Sequence, residues 1–175
     1  MLLGNTNEEY GYYKIPAFAN GIVPTTQQVV WFLLESFTCP NSYEASRRRD
    51  QNVPVWQYRY FGDWDNVRLY PDSGAYHGSD LHMIFGASGD VSGIAPSEAE
   101  KQTTQLMQHA WAAFCNDPTN GLTKVMNWPK FDPNQKSLIR LAYQNNPKPD
   151  FVKPETYDSP CSTITMGALS TATAT

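Results

Sequence analysis

The 175-residue sequence is poor in charge, histidine and cysteine, and it has no long apolar run. Charged residues make up 17% and the net charge is -4, so nothing favours binding to nucleic acid or to an anionic membrane. The one basic run, residues 47–49, is short enough to be a solvated helix face. No apolar run reaches the length of a membrane span. No secretory signal is expected in this chain, because the first residues lack a basic start and an apolar core.

Sequence signatures of metal or cofactor binding are also lacking. The three histidines are His77, His82 and His109, and no pair of them has metal-ligand spacing with a carboxylate. We therefore expect no metal and no cofactor. His82 and His109 lie in helix patterns, where a packing or surface role is the ordinary one.

Hydrophobic content of 41% and five tryptophans indicate one globular domain with a core. Strands are predicted at residues 1–4 and 54–61, the second rich in Val, Trp, Tyr and Phe. The predicted helices cover residues 25–37, 41–50, 97–115 and part of 133–144, with a break at Cys39-Pro40 and a loop at 87–95. Ser97 and Glu100 have the spacing of a capping box.

A histidine lies among small residues in the sequence Ser73-Gly74-Ala75-Tyr76-His77-Gly78-Ser79-Asp80. Ser79 is predicted to cap a short helix that ends at Gly86, with Leu81, Ile84 and Phe85 on one face. A histidine on a firmly anchored loop suits a general base, since imidazole titrates near neutral pH. The alternative is a turn histidine that caps the helix or binds water.

Residues 74–81, followed by Phe85 and Gly86, resemble the histidine motif of the type-B carboxylesterase/lipase family of α/β-hydrolases. Cholinesterases and secreted microbial lipases belong to this family. The similarity continues in family order at residues 37–40, 53–60, 111–114 and 128–131, and is closest to fungal secreted members.

This resemblance covers most of residues 1–161 and the C-terminal third of the family. It implies an α/β fold, namely the C-terminal part of an α/β-hydrolase with few strands, several helices and an incomplete sheet. Residues 162–175 turn to Ser, Thr, Ala and Gly, and are expected to form a disordered tail.

The same resemblance implies Glu9 as the acid and His77 as the base of a Ser-Glu-His triad, with Glu8 as a rival for the acid. Tyr10 stands where many members have glycine, which leaves the local loop shape open. In α/β-hydrolases the serine precedes the acid, and none of the eight residues before Glu9 is serine. The near miss Gly86-Ala87-Ser88-Gly89-Asp90 follows the histidine and lacks the last glycine of G-x-S-x-G. No glycine-rich oxyanion loop is present.

The resemblance therefore implies a C-terminal portion of a carboxylic ester hydrolase that is inactive by itself. It would act on an ester or lipid substrate only together with the N-terminal remainder of the domain. A non-catalytic interaction module on the same fold, as in neuroligin-like relatives, is the alternative. A small self-standing domain with a structural role is the third possibility.

Three cysteines do not define a disulfide framework by count. Cholinesterases join cysteines in comparable places, and this resemblance implies a Cys39–Cys161 disulfide in an oxidising compartment. The full-length parent would then be secreted or extracellular. Cys115, within a helix pattern, is expected to be a free buried thiol.

Overall fold

A mixed four-stranded sheet lies at the centre of the molecule. The computed structural model describes residues 1–164. The strands are β1 (Leu2–Thr6), β2 (Trp56–Tyr60), β3 (Leu138–Leu141) and β4 (Asp150–Val152). Their spatial order follows the chain, with β1, β2 and β3 parallel and β4 antiparallel to β3. This sheet with surrounding helices confirms the predicted α/β class with few strands and several helices.

The helices lie between and after the strands. They are α1 (Tyr10–Ala19), α2 (Thr26–Leu33), α3 (Cys39–Asp50), α4 (Ser79–Phe85), α5 (Ser88–Ser92), α6 (Glu98–Asn116), α7 (Gly121–Met126) and α8 (Glu155–Asp158). A π-helical turn, Leu34–Thr38, joins α2 to α3, and 3-10 turns form at Tyr143–Asn145 and Ser159–Thr163.

Three local predictions were wrong. Pro40 does not break the helix: α2 continues through the π-helical turn Leu34–Thr38 into α3, and Pro40 lies in the first turn of α3, just after that turn has altered the α-helical hydrogen-bond pattern. The short helix expected within residues 133–144 is instead strand β3, whose side chains are almost all buried between β2 and β4. The expected loop at 87–95 contains the one-turn helix α5.

One face of the sheet carries the main hydrophobic cluster. All five residues of β2 are buried, as expected for a strand covered on both faces. Helix α6 begins at the predicted capping box of Ser97 and Glu100 and packs Met107 and Ala110 into this cluster. A smaller second cluster comprises Leu3, Ala45, Val55 and Phe131.

The disulfide between Cys39 and Cys161 is confirmed, with Cα atoms 5.4 Å apart. It joins the start of α3 to the 3-10 turn Ser159–Thr163, which extends into the predicted tail; residues 165–175 of that tail lie outside the described residues. Cys115 is exposed, so its predicted burial was wrong. The buried positions of α6 include Ala110 and Ala113, which places position 115 on the solvent side of the helix.

Candidate active site

The carboxylate of Glu9 and the imidazole of His77 meet beside the carboxyl ends of β1 and β2. Glu9 follows β1, and His77 lies on the loop between β2 and α4. Because β1 and β2 are parallel, both chain segments leave the sheet at the same edge. Glu9 Oε2 lies 2.6 Å from His77 Nδ1. The structure thus brings the predicted acid and base together, and their catalytic roles stay a prediction.

Both oxygens of Glu9 are held. The residue is 3% exposed, and its Oε1 accepts a hydrogen bond of 2.6 Å from the amide of Thr6. Burial raises the pKa of Glu9, while the hydrogen bonds from Thr6 and His77 act in the opposite direction. With Nδ1 directed at Glu9, His77 has Nε2 left for proton exchange, and its side chain is 45% exposed.

Aromatic rings surround the imidazole of His77. The ring centroids of Tyr13 and Phe37 each lie 5.4 Å from that of His77, and Tyr12 lies at 6.3 Å. Phe32 stacks edge-on against Tyr13 at 5.0 Å. We call these four rings the aromatic wall. The sequence analysis did not predict it, although the many aromatic residues just after Glu9 and just before Cys39 were a usable signal. The wall makes the surroundings of His77 apolar on the side of α1 and α2.

Glu8, the rival acid, holds the histidine loop instead. Its Oε2 accepts a hydrogen bond of 3.0 Å from the amide of Ala75, and its own amide donates to the Ala75 carbonyl at 3.0 Å. Asn7 donates to the other oxygen of Glu8 and in turn accepts from the buried guanidinium of Arg59. Burial raises the pKa of Glu8 as well. Of these two adjacent carboxyl groups, Glu9 bonds the imidazole and Glu8 bonds the loop.

The start of α1, just after Glu9, also contacts the histidine loop at Gly11. A Cβ at Gly11 would lie only 2.2 Å from the Ser73 carbonyl oxygen, so any larger residue would push the loops apart. The Tyr70 hydroxyl donates to the Gly11 carbonyl at 2.6 Å. Glycine is thus required two positions after Glu9 by close backbone approach.

The predicted cap of α4 was wrong. Gly78, with φ of 82°, occupies the N-cap position, and Ser79 is buried with a hydroxyl that has no hydrogen-bond partner within residues 1–164. The helix ends at Gly86 as predicted, again at positive φ. Its buried face holds Met83, while Leu81 and Phe85 are exposed. A helix of seven residues is too short for its apolar spacing to decide which face is buried.

A second buried carboxyl group, Asp80, lies three residues after His77. Tyr58 donates to Asp80 Oδ2 at 2.9 Å, and burial raises the pKa of Asp80. Sequence reasoning did not single it out. The hydrogen bond joins β2 to α4, which starts just after the histidine loop.

The other candidate site residues lie apart from the Glu9–His77 pair. Ser88 is buried in α5, and within the described residues it makes no hydrogen bond to His77. His109 is exposed on α6. Residues 1–164 contain no group of three or more His, Cys, Asp or Glu side chains that could hold a metal ion. None of the helices in that range is long and apolar enough to cross a membrane.

A glutamate and a histidine that parallel strands bring to one edge of a sheet are an arrangement found in α/β-hydrolases. The Carboxylesterase family model matches residues 25–159, and the chain belongs to this family. A solved PNB esterase structure superposes with a TM-score of 0.65 at 18% identity, covering 91% of this chain and 37% of that one. This likeness shows the fold.

Three curated relatives are similar in sequence. Secreted lipase 5 of Gibberella zeae is 29% identical over 83% of this chain and 28% of its own length. Chlorogenic acid esterase of Aspergillus niger is 27% identical over 59% of this chain and 23% of its own. Para-nitrobenzyl esterase of Bacillus subtilis is 29% identical over 55% and 20%. The chain thus spans less than a third of the length of these relatives.

Proposed function

We propose that this chain is the C-terminal part of a carboxylic ester hydrolase, in which Glu9 and His77 serve as the acid and base of a Ser-Glu-His triad. The serine and the oxyanion hole would come from a segment outside these 175 residues. The observation that carries the proposal is the 2.6 Å contact between Glu9 Oε2 and His77 Nδ1.

The chemistry follows from this contact. His77 Nε2 would take the proton of the attacking serine and then give it to the leaving alcohol. In the second half it would take a proton from water as the water oxygen attacks the acyl-enzyme, and it would return that proton to the serine oxygen when the acyl–serine bond breaks. Glu9 would hold the Nδ1–H tautomer and stabilise the imidazolium that forms in both halves. Backbone N–H groups of the absent segment would bind the oxyanion.

Two features support a missing segment. Among the described residues, β1 pairs only with β2, which leaves its other edge without a strand. Apolar side chains of α1 and α2 are exposed, among them Phe18, Trp31 and Tyr12, and the ring of Tyr12 lies 6.3 Å from that of His77. Both features are expected of a sheet and an aromatic wall that a further part of the domain covers.

The relatives bear on substrate and location. Their names describe a secreted lipase and two esterases, so a carboxylic ester is the substrate class that we propose. The disulfide and the secreted relative together favour an extracellular location.

The test compares the chain alone with the same chain extended upstream along its own reading frame. On p-nitrophenyl esters we expect no turnover from the chain alone, since loss of the serine costs about 10⁶-fold in such hydrolases. The extended protein should be active, and His77→Ala should reduce its kcat by about 10⁶-fold. Glu9→Gln should reduce it by about 10⁴-fold, because the tautomer is no longer fixed.

His109→Ala is the matched control, since this histidine is exposed on α6. Turnover by the chain alone that His77→Ala removes would contradict the missing nucleophile. An active extended protein that tolerates His77→Ala would contradict the role of the base. An extended protein without any esterase activity would favour the non-catalytic interaction module.

A further inference from the structure

The hydroxyl of Tyr76 makes two hydrogen bonds that the proposed chemistry does not use. It lies 2.9 Å from the carbonyl oxygen of Val67 and 3.0 Å from Nε2 of His82. Tyr76 directly precedes His77 and is 6% exposed, and His82 is half-buried on α4. The three residues thus connect the early and late parts of the loop between β2 and α4 with α4 itself.

Counting protons fixes the direction of these bonds. A tyrosine hydroxyl has one hydrogen, and a carbonyl oxygen can only accept. The hydrogen of Tyr76 must therefore point to Val67, and the contact to His82 requires the hydrogen to be on Nε2. The other neutral tautomer would place two acceptors on one hydroxyl hydrogen and leave one of them without a full bond.

We propose that His82 is a positioning residue: its Nε2–H holds the Tyr76 hydroxyl on the Val67 carbonyl, and this contact keeps the His77 loop in register with Glu9. This inference rests on the proposed role of His77. The loop would then be fixed from two sides, by Glu8 at Ala75 and by His82 at Tyr76. His77 follows these two anchored residues immediately, so little backbone freedom remains at the imidazole.

The charge of His82 does not alter the contact. Burial lowers the pKa of His82, and the carboxyl groups of Asp80 on α4 and Glu100 on α6 partly oppose this effect. The neutral Nε2–H form and the protonated form both donate from Nε2. Mild acid should therefore leave the Tyr76 contact in place, which distinguishes His82 from a pH switch.

The test is nitrogen-15 NMR of the whole 175-residue chain. With three histidines in the sequence, single variants assign every imidazole. We expect His82 in the Nε2–H tautomer and a slowly exchanging Nδ1 proton on His77. Tyr76→Phe and His82→Leu should each speed exchange of that His77 proton by about fivefold to tenfold, as loss of one buried hydrogen bond allows. His82→Gln keeps a side-chain donor and should restore near wild-type exchange, and His109→Gln is the surface control.

Several results would contradict the role of His82. An Nδ1–H tautomer at His82 overturns the inference, and so does a His82→Leu variant that loses thermal stability while His77 exchange is unchanged. If the wild-type chain shows no protected His77 Nδ1 proton, the proposed acid–base pair falls, and the role of His82 falls with it. If Tyr76→Phe does not fold, the contrast between His82→Leu and His82→Gln still decides.

Discussion

The region of α6 and α7 and the region of α1 differ in how far their apolar side chains are buried. Four large side chains in or next to α6 and α7 are at most 1% exposed, namely Trp56, Met107, Leu122 and Trp128. In α1, by contrast, only Gly11 is buried, and Ile15 and Phe18 are more than 40% exposed. Hydrophobic residues alone thus do not establish a core, because burial needs a facing surface.

The two regions also differ in how apolar residues are arranged along each helix. Helix α6 has 19 residues with a buried stripe that includes Met107 and Ala110, so one face meets the sheet. The apolar residues of α1 are not confined to one stripe, and the helix contains Pro16. The region with the less complete packing is the one that borders His77. In this molecule the candidate site borders a helix whose large apolar side chains are largely exposed.

Truncating one tryptophan in each region should show the largest difference. Trp128→Ala should lower the free energy of unfolding by about 3–5 kcal/mol, since it removes a fully buried ring. Trp31→Ala on α2, 40% exposed, should cost less than about 1 kcal/mol. Urea unfolding of both variants gives the two values. Equal losses would mean that α2 is packed as tightly as the main cluster.

Removing the disulfide should give the next largest effect. Cys39 and Cys161 are 122 residues apart, and in the chain-entropy model opening such a loop costs about 5 kcal/mol. The double variant Cys39→Ala with Cys161→Ala should lose that amount in thermal or urea unfolding. Cys115→Ala, at an exposed thiol, is the control and should stay within about 0.5 kcal/mol of wild type. A double variant as stable as wild type would show that the crosslink constrains little.

The two helix starts should respond differently to loss of a serine hydroxyl. Ser97→Ala removes a capping contact of α6 and should cost about 1 kcal/mol. Ser79→Ala should be neutral or slightly stabilising, because the buried hydroxyl of Ser79 has no partner among the described residues. Guanidinium unfolding midpoints compare the variants. A clear loss for Ser79→Ala would restore Ser79 as a functioning cap.

The smallest effect should be a change in pH dependence. Burial raises the pKa of Glu8 above 4.5, so the folded chain binds more protons at this group than the unfolded chain. Its contribution to stability is full below pH 4.5 and is lost as pH rises through the folded pKa. Glu8→Gln removes this term, so stability measured from pH 4 to 7 should fall less steeply than in wild type. Parallel curves would contradict a raised pKa at Glu8.

Resemblance to known motifs predicted contacts between distant residues better than local periodicity predicted the strands and helices. Glu9, His77 and the Cys39–Cys161 pair were named from short sequence segments, and the structure places each pair in contact. The start of α6 followed from local chemistry, because a capping box lies within four residues. Strand β3 was missed, since its four residues form a strand only between β2 and β4.

The sequence by itself determined which chemical groups are available: two adjacent carboxyl groups after a strand, a histidine followed by a glycine, and no serine before the acid. Only the tertiary structure decided that Glu9 bonds the imidazole and Glu8 the loop, and that His82 meets Tyr76. For two adjacent glutamates on a loop, the sequence alone does not show which side chain faces the histidine. The backbone path sends one toward His77 and the other toward Ala75, and that path is set by contacts between segments more than 60 residues apart.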